Sequence, residues 1–375
     1  MRIFSIGGPA EDRVVAMIPL NVPFVPDESY AAFLREHAGH LDSCYLSLHG
    51  PVAGDARLRF DSVNLSRLSK LLARVPVPHK YALANTRFHD PSVYTDTAAL
   101  RDLAGRLETL VDRAGLTGVV FGDAYFLNAL SDASPRVCGL LHAVPSVNFL
   151  PDSGDKVRAL ADLVAGTAFL PPDKITVDRG LNRDPSGLRE MAGQCGKILP
   201  GVRLEVLANE GCLYQCPYKP AHDAHISFAN TGLAPDATHE ANRLFGCMRV
   251  LVEKPHRMFA SPLIRPEDVA RYEGVADVVK VAGRTLGPEF LKRCVTAYMK
   301  GRYEGNLLDL TDSMDWLAAH YHVDNQGIPE DFADRLETCS RDCGACAYCE
   351  ELFSRVAEKK PAPFAPRPAR LACQR

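Results

Sequence analysis

The chain has 375 residues, 46% of them apolar and 24% charged, with a formal net charge of −3. That is enough apolar side chain for a full-sized core, so a disordered or fibrous chain is excluded. The near-neutral balance gives no basic face that would announce nucleic acid.

The N-terminus, MRIFSIGGPAEDRVV, lacks a charged segment followed by an apolar one, and no run of about 18 apolar residues occurs. The expectation is a soluble cytoplasmic protein without membrane contact. Twelve cysteines in such a chain point to metal binding, because a reducing cytosol does not sustain a disulfide framework.

Strand-like apolar runs alternate with helical stretches along most of the chain. VVAMIPLNV (14–22) comes first, then the helical DESYAAFLREHAG, opened by Asp27 as an N-cap. LDSCYLSLH (41–49) precedes NLSRLSKLLARV, and KYALANTRF (80–88) precedes DTAALRDLAGRLETLVDRAG. TGVVFGD (117–123) and VCGLLHAVPSVNF (137–149) follow, then the helix DKVRALADLVAG. KITVDRG (174–180), the helix DPSGLREMAGQCGKIL, RLEVLANEG (203–211) and DVVKVAGR (277–284) complete the series.

Eight such alternations predict an α/β fold, a (β/α)8 TIM-like barrel whose seventh connection is enlarged, running from Cys212 to Asp277. An open doubly wound sheet is the alternative, but no GxGxxG or GxxxxGK[ST] follows any strand. The predicted organisation is a barrel over 1–305, a Cys-rich helical extension over 306–358 with a helix near 339–357, and a disordered Pro-rich tail over 359–375. Cys373 in that tail is read as incidental.

In barrels the chemistry sits on loops leaving the C-terminal ends of the strands. NEGCLYQCPYKPAHDAH (209–225) falls there, with Cys212 and Cys216 in CxxxC spacing. Cys247 lies in the same long connection, and these three form the core ligand set. A fourth ligand would come from Cys44 or Cys138, from the C-terminal group or from substrate, while Cys195 and Cys294 sit in helices. CSRDCGACAYC supplies Cys339, Cys343, Cys346 and Cys349, a second candidate site for an iron–sulfur cluster or structural zinc.

His222 and His225 share a helical face and would bind a metal or simply hydrogen-bond in a loop. Glu210, Asp178 and Arg179 end strands seven and six, where acid–base or carboxylate-binding roles fit, as would ion pairs. Arg284 ends strand eight, placed to meet an anionic substrate or to close a salt bridge. No GxSxG or HExxH supports hydrolysis.

From strand six onward, ITVDRGL, LEVLANEGCLYQC and SPLIRPEDVARYEGVADVVKVAGRT resemble the peptidase U32 family. The family's Lys-Ile-Glu-Gly-Arg segment reads Lys280 to Arg284 here with Ala282 for its Glu, and Gly180 stands where its Arg-Glu-Leu turn has Glu. The resemblance implies a barrel and a [4Fe-4S] cluster, with Cys212, Cys216 and Cys247 as the cysteines that match. It also implies dioxygen-independent hydroxylation or oxygen-group transfer on a small anionic or aromatic substrate or an RNA base, with a redox partner or related U32 subunit. A metal-dependent peptidase with zinc on His222 and His225, and a non-catalytic electron-relay subunit, are the alternatives.

Overall fold

A computed structural model describes residues 18–48, 52, 54–56 and 64–361. Eight parallel strands are present: β1 (Leu20–Pro23), β2 (Leu41–Ser47), β3 (His79–Ala84), β4 (Gly118–Phe121), β5 (His142–Pro145), β6 (Lys174–Thr176), β7 (Arg203–Leu207) and β8 (Val278–Lys280). They lie in the order β5-β4-β3-β2-β1-β8-β7-β6. A parallel bridge between His142 and Leu170 brings the chain entering β6 against β5, so the sheet curls into a nearly closed (β/α)8 TIM-like barrel.

The strands are apolar almost throughout because both faces are covered, helices outside and side chains in the lumen. Tyr45, Tyr81, Leu83, Val120 and Val144 pack within the lumen, while Cys44 and Leu46 join the larger core under the helices. Strand alternation thus turns Cys44 away from the lumen.

Asp27, Asn64, Asp96 and Asp184 each accept a backbone amide at the start of the helix they precede. Gly115, at φ 68°, closes the helix Thr97–Ala114 in the left-handed conformation that only glycine adopts without strain. The fifth strand begins later than its apolar run suggests. Ser134 and Pro135 start a helical turn, Pro135–Cys138, which buries Cys138 with its thiol 3.5 Å from the Leu130 carbonyl. Cys138 therefore lies outside the strand.

The connection from β7 to β8 is enlarged as expected. Its helix Lys219–Thr231 lies across the C-terminal mouth and is tied to the loops after β2 and β3. Ser227 Oγ accepts from Thr86 Oγ1 at 2.8 Å, Asp223 pairs with Arg87 at 3.3 Å, and Asn230 donates to the Asp55 carbonyl at 2.5 Å.

Beyond the barrel, β9 (Tyr321–Val323) and β10 (Ala357–Lys359) pair antiparallel. A second core joins Leu307, Leu308, Val323, Phe332, Leu352 and Val356 to Leu251, Met258 and Phe259 of the seventh connection. The predicted helix near 339–357 is real only over Tyr348–Val356. Before it, Arg341 takes φ 64° and the Asp342 carbonyl collects the amides of Ala345 and Cys346, so the first three cysteines lie on turns. Residues 362–375, with Cys373, and 14–17 of the first apolar run lie outside the described residues. No described helix is long and apolar enough to cross a membrane.

Candidate active site at the barrel mouth

The loops leaving β7 and β8 are held together by Asn209, which is fully buried. Its Nδ2 donates to the carbonyls of Ala282 (3.1 Å) and Leu310 (3.0 Å), and its Oδ1 accepts the Ala282 amide at 2.6 Å. One side chain thus binds the end of β7 to the end of β8 and to the extension.

Next to it, Glu210 forms a buried ion pair with Arg179 from the end of β6. Burial pulls the guanidinium down, but Glu210 and then Cys212 outweigh it and hold Arg179 above its ordinary value. Asp178 caps the turn that carries Arg179, accepting the Gly180 amide at 2.7 Å. A Cβ at Gly180 would stand 2.5 Å from Gln215 Nε2, so the glycine makes room for the Gln215 carboxamide.

Cys212, Cys216 and Cys247 are all partly buried. Burial raises the Cys212 thiol to about 12, with Glu210 adding and Arg179 and Lys219 opposing. Cys216 is raised by burial too, against the amides of Tyr218 and Lys219, which point at its sulfur. Cys247 reaches about 11 through burial and the nearby Cys216. Cys216 is therefore the common neighbour of the other two.

Arg284 is ion-paired with Asp55, whose carboxylate also accepts Ser47 Oγ. His222 is half-buried with Nε2 3.5 Å from Asn242, while His225 is exposed. Asp223 between them is buried against Lys219 and Arg87.

The C-terminal cysteines sit at the same end of the molecule. Cys339, Cys343, Cys346 and Cys349 all line one cavity of about 340 Å³, together with Arg183, Arg257 and Arg335. A neighbouring cavity of about 280 Å³ places Cys339, Cys343 and Arg341 opposite Leu213, Tyr214 and Pro217 of the CxxxC turn. Among the described residues no three His, Cys, Asp or Glu side chains close on a single metal position.

Two constellations escaped the sequence reading. In the lumen Glu205 lies 2.7 Å from Lys174 and 3.5 Å from Lys280, and accepts from Asn21 and Thr176 at 2.7 Å each. Burial would raise its carboxyl, but the two lysines win and bring it to about 2. Lone charges inside apolar strands, in RLEVL, KIT and VVK, were the available signal.

Across the mouth, His89 Nδ1 lies 2.9 Å from Asp123 Oδ2, which also accepts Tyr94 OH at 2.7 Å and the His89 amide at 3.2 Å. A carboxylate only accepts, so the His89 proton sits on Nδ1. Nε2 is buried with no hydrogen-bond partner among the described residues. Burial opposes ionisation of Asp123, but the bonds from His89 and Tyr94 keep its carboxyl below the ordinary value. The signal lay in RFHD and FGD, at the ends of adjacent strands.

No family model matches the chain. It is 30% identical over 187 residues to a protein of Methanocaldococcus jannaschii called the uncharacterized protease MJ1657, covering 50% of this chain and 54% of that protein. The chain thus spans about half the length of the curated relative it matches. Among solved structures, the U32 peptidase Mk0906 overlays with a TM-score of 0.47 at 17% identity, over 76% of this chain and 97% of that one. An α-amylase from Malbranchea cinnamomea gives a TM-score of 0.30 at 10% identity, over 55% and 65%. The barrel assignment rests on this chain's own strand order, not on these overlays.

Proposed function

Taking the chain as a relative of the U32 peptidases, the assignment that its motifs and its archaeal homologue support, we propose that it is an iron–sulfur enzyme acting at the C-terminal mouth of the barrel. The observation that carries this reading is that Cys216 neighbours both Cys212 and Cys247, from two separate segments, beside the buried Arg179–Glu210 pair; a cluster would draw the three thiols closer together than they stand. The donor type fits a [4Fe-4S] cluster, since such clusters are held by cysteine sulfur. A cluster with three cysteine ligands supplies an open iron for a substrate oxygen or for electron exchange.

The chain's own residues do the rest. The helix Lys219–Thr231 lies over the mouth, and Asn209 ties the ends of β7 and β8 to each other and to the extension. Arg179 and Arg284 each already hold a carboxylate. An anionic substrate would take the place of Glu210 or Asp55 rather than meet an idle cation. The reaction class is hydroxylation or another oxygen-group transfer without dioxygen, on a small anionic or aromatic substrate or an RNA base. With the oxygen taken from water, hydroxylation removes two electrons and two protons from the substrate, so a redox partner or a related U32 subunit would accept those electrons, in a reducing cytoplasm.

The test is iron, acid-labile sulfide and the visible spectrum of protein purified without oxygen, for the wild type and Cys212→Ala. Loss of about four irons per chain in the variant supports the reading. A colourless wild type that takes up no iron on anaerobic reconstitution defeats it.

The homologue's name favours a second reading, a metal-dependent peptidase using His222 and His225. The exposed His225 and the Asn242 contact of His222 give it little support. Stoichiometric zinc lost with His222→Ala would favour it.

A further inference from the structure

We propose that residues 339–349 carry a second metal centre, a four-thiolate iron–sulfur cluster held by the C-terminal extension and separate from the thiols of the barrel mouth. The proposal stands independently of the reading above.

Cys339, Cys343, Cys346 and Cys349 line a single cavity of about 340 Å³. Because no three of these side chains close on a single position among the described residues, the space suits a cluster, whose thiolates stand further apart, better than one ion. The spacing x3, x2, x2 keeps all four thiols within one run of eleven residues. The backbone is arranged for thiolates. Arg341 bends through φ 64° and its amide donates to Cys339 Sγ at 3.4 Å. An amide directed at sulfur favours the charged form and turns the thiol into the cavity.

The second observation is Arg183. Its side chain is buried in the wall of the same cavity. Nη1 donates to the carbonyls of Phe259 (3.1 Å) and Ser261 (2.9 Å), and Nε has no hydrogen-bond partner among the described residues. No carboxylate pairs with it among those residues. A guanidinium out of water needs an anion nearby; Asp342 and Glu350 also line the cavity but neither pairs with Arg183, and the acidic groups that act on it most are Cys339, Tyr272 and Cys349. Four thiolates around a cluster leave net negative charge, which answers that need.

The centre is distinct from the mouth. Between them stands Arg341, stacked on the Tyr214 ring at 4.9 Å with its Nη2 3.3 Å from the Arg183 carbonyl. A complete set of four cysteines leaves no iron for a substrate, so this site differs in role from the three-cysteine mouth. Cys343 and Cys346 are exposed, which puts it at the surface.

The experiment is iron, sulfide and zinc content with electron paramagnetic resonance of the reduced full chain, purified without oxygen. The wild type is compared with Cys346→Ser and with the double variant Cys212→Ser/Cys216→Ser. The expected wild type holds about eight irons per chain, and each variant keeps about half with a different signal surviving. If Cys346→Ser fails to fold, the double variant decides alone. Iron retained on it sits in the extension, whereas an iron-free double variant overturns the second centre. One zinc per chain retained there in place of iron overturns the cluster assignment. Failure of the mouth cluster reads differently: the double variant would keep all of the wild-type iron.

Discussion

Arg179 and Glu210 form a buried ion pair that couples the end of β6 to the end of β7. Their charges neutralise each other where water cannot, so removing one leaves the other stranded. Glu210→Gln should destabilise the fold by about 3–5 kcal/mol, and the double change Arg179→Met/Glu210→Gln by clearly less. Urea denaturation of the single and double variants checks this. Single losses, for Glu210→Gln and Arg179→Met, that simply add in the double variant would show that the pair is not coupled.

Glu205 gives the fold an acid limb. Its carboxyl is at about 2 when folded, against an ordinary value of 4.5, so the unfolded chain takes up the proton first. The stability it contributes is complete above about 4.5 and is lost as pH falls through about 2. The wild type should lose stability more steeply over that window than Glu205→Gln, measured as the urea midpoint against pH. Parallel profiles would place the acid sensitivity elsewhere.

His89 acts as a clasp between the loops after β3 and β4. His89→Ala removes the ring donor from a buried carboxylate and the stack on Phe126, whose centroid is 4.1 Å away. A cost of about 1–3 kcal/mol is expected, with Asp123→Asn also destabilising. The fall in thermal midpoint measures it. An unchanged midpoint in His89→Ala would show that Tyr94 alone satisfies Asp123.

Cys44, Cys138, Cys195 and Cys294 are buried packing thiols in the main core. Single replacements by alanine should leave metal content at the wild-type level, with at most a small loss of stability. Iron analysis of the four variants checks this. Depletion in Cys44→Ala would mean that β2 contributes a ligand after all.

Much of the barrel was legible because its signals are local. Apolar runs, caps such as Asp96 and the closing Gly115 act within a few residues of where they are read. Arg179, Glu210, Cys212 and Arg284 lie just past the ends of β6, β7 and β8, a position legible because strand ends define that rim. Their pairings were not legible: Arg284 meets Asp55 across 229 positions, a relation only the closed ring creates. The Glu205 lysines and the His89–Asp123 contact share that origin. Cys138 was misplaced because an apolar run cannot show where Pro135 turns it helical.

The second core has a consequence for how the chain is made. Leu251, Met258 and Phe259 leave the ribosome well before Leu307, Phe332 and Val356, the residues that cover them. Vectorial synthesis thus presents the seventh connection to the cell with its apolar side bare, after the first seven strands have been made. The barrel can gather early, but the second core closes only when the helix Tyr348–Val356 arrives.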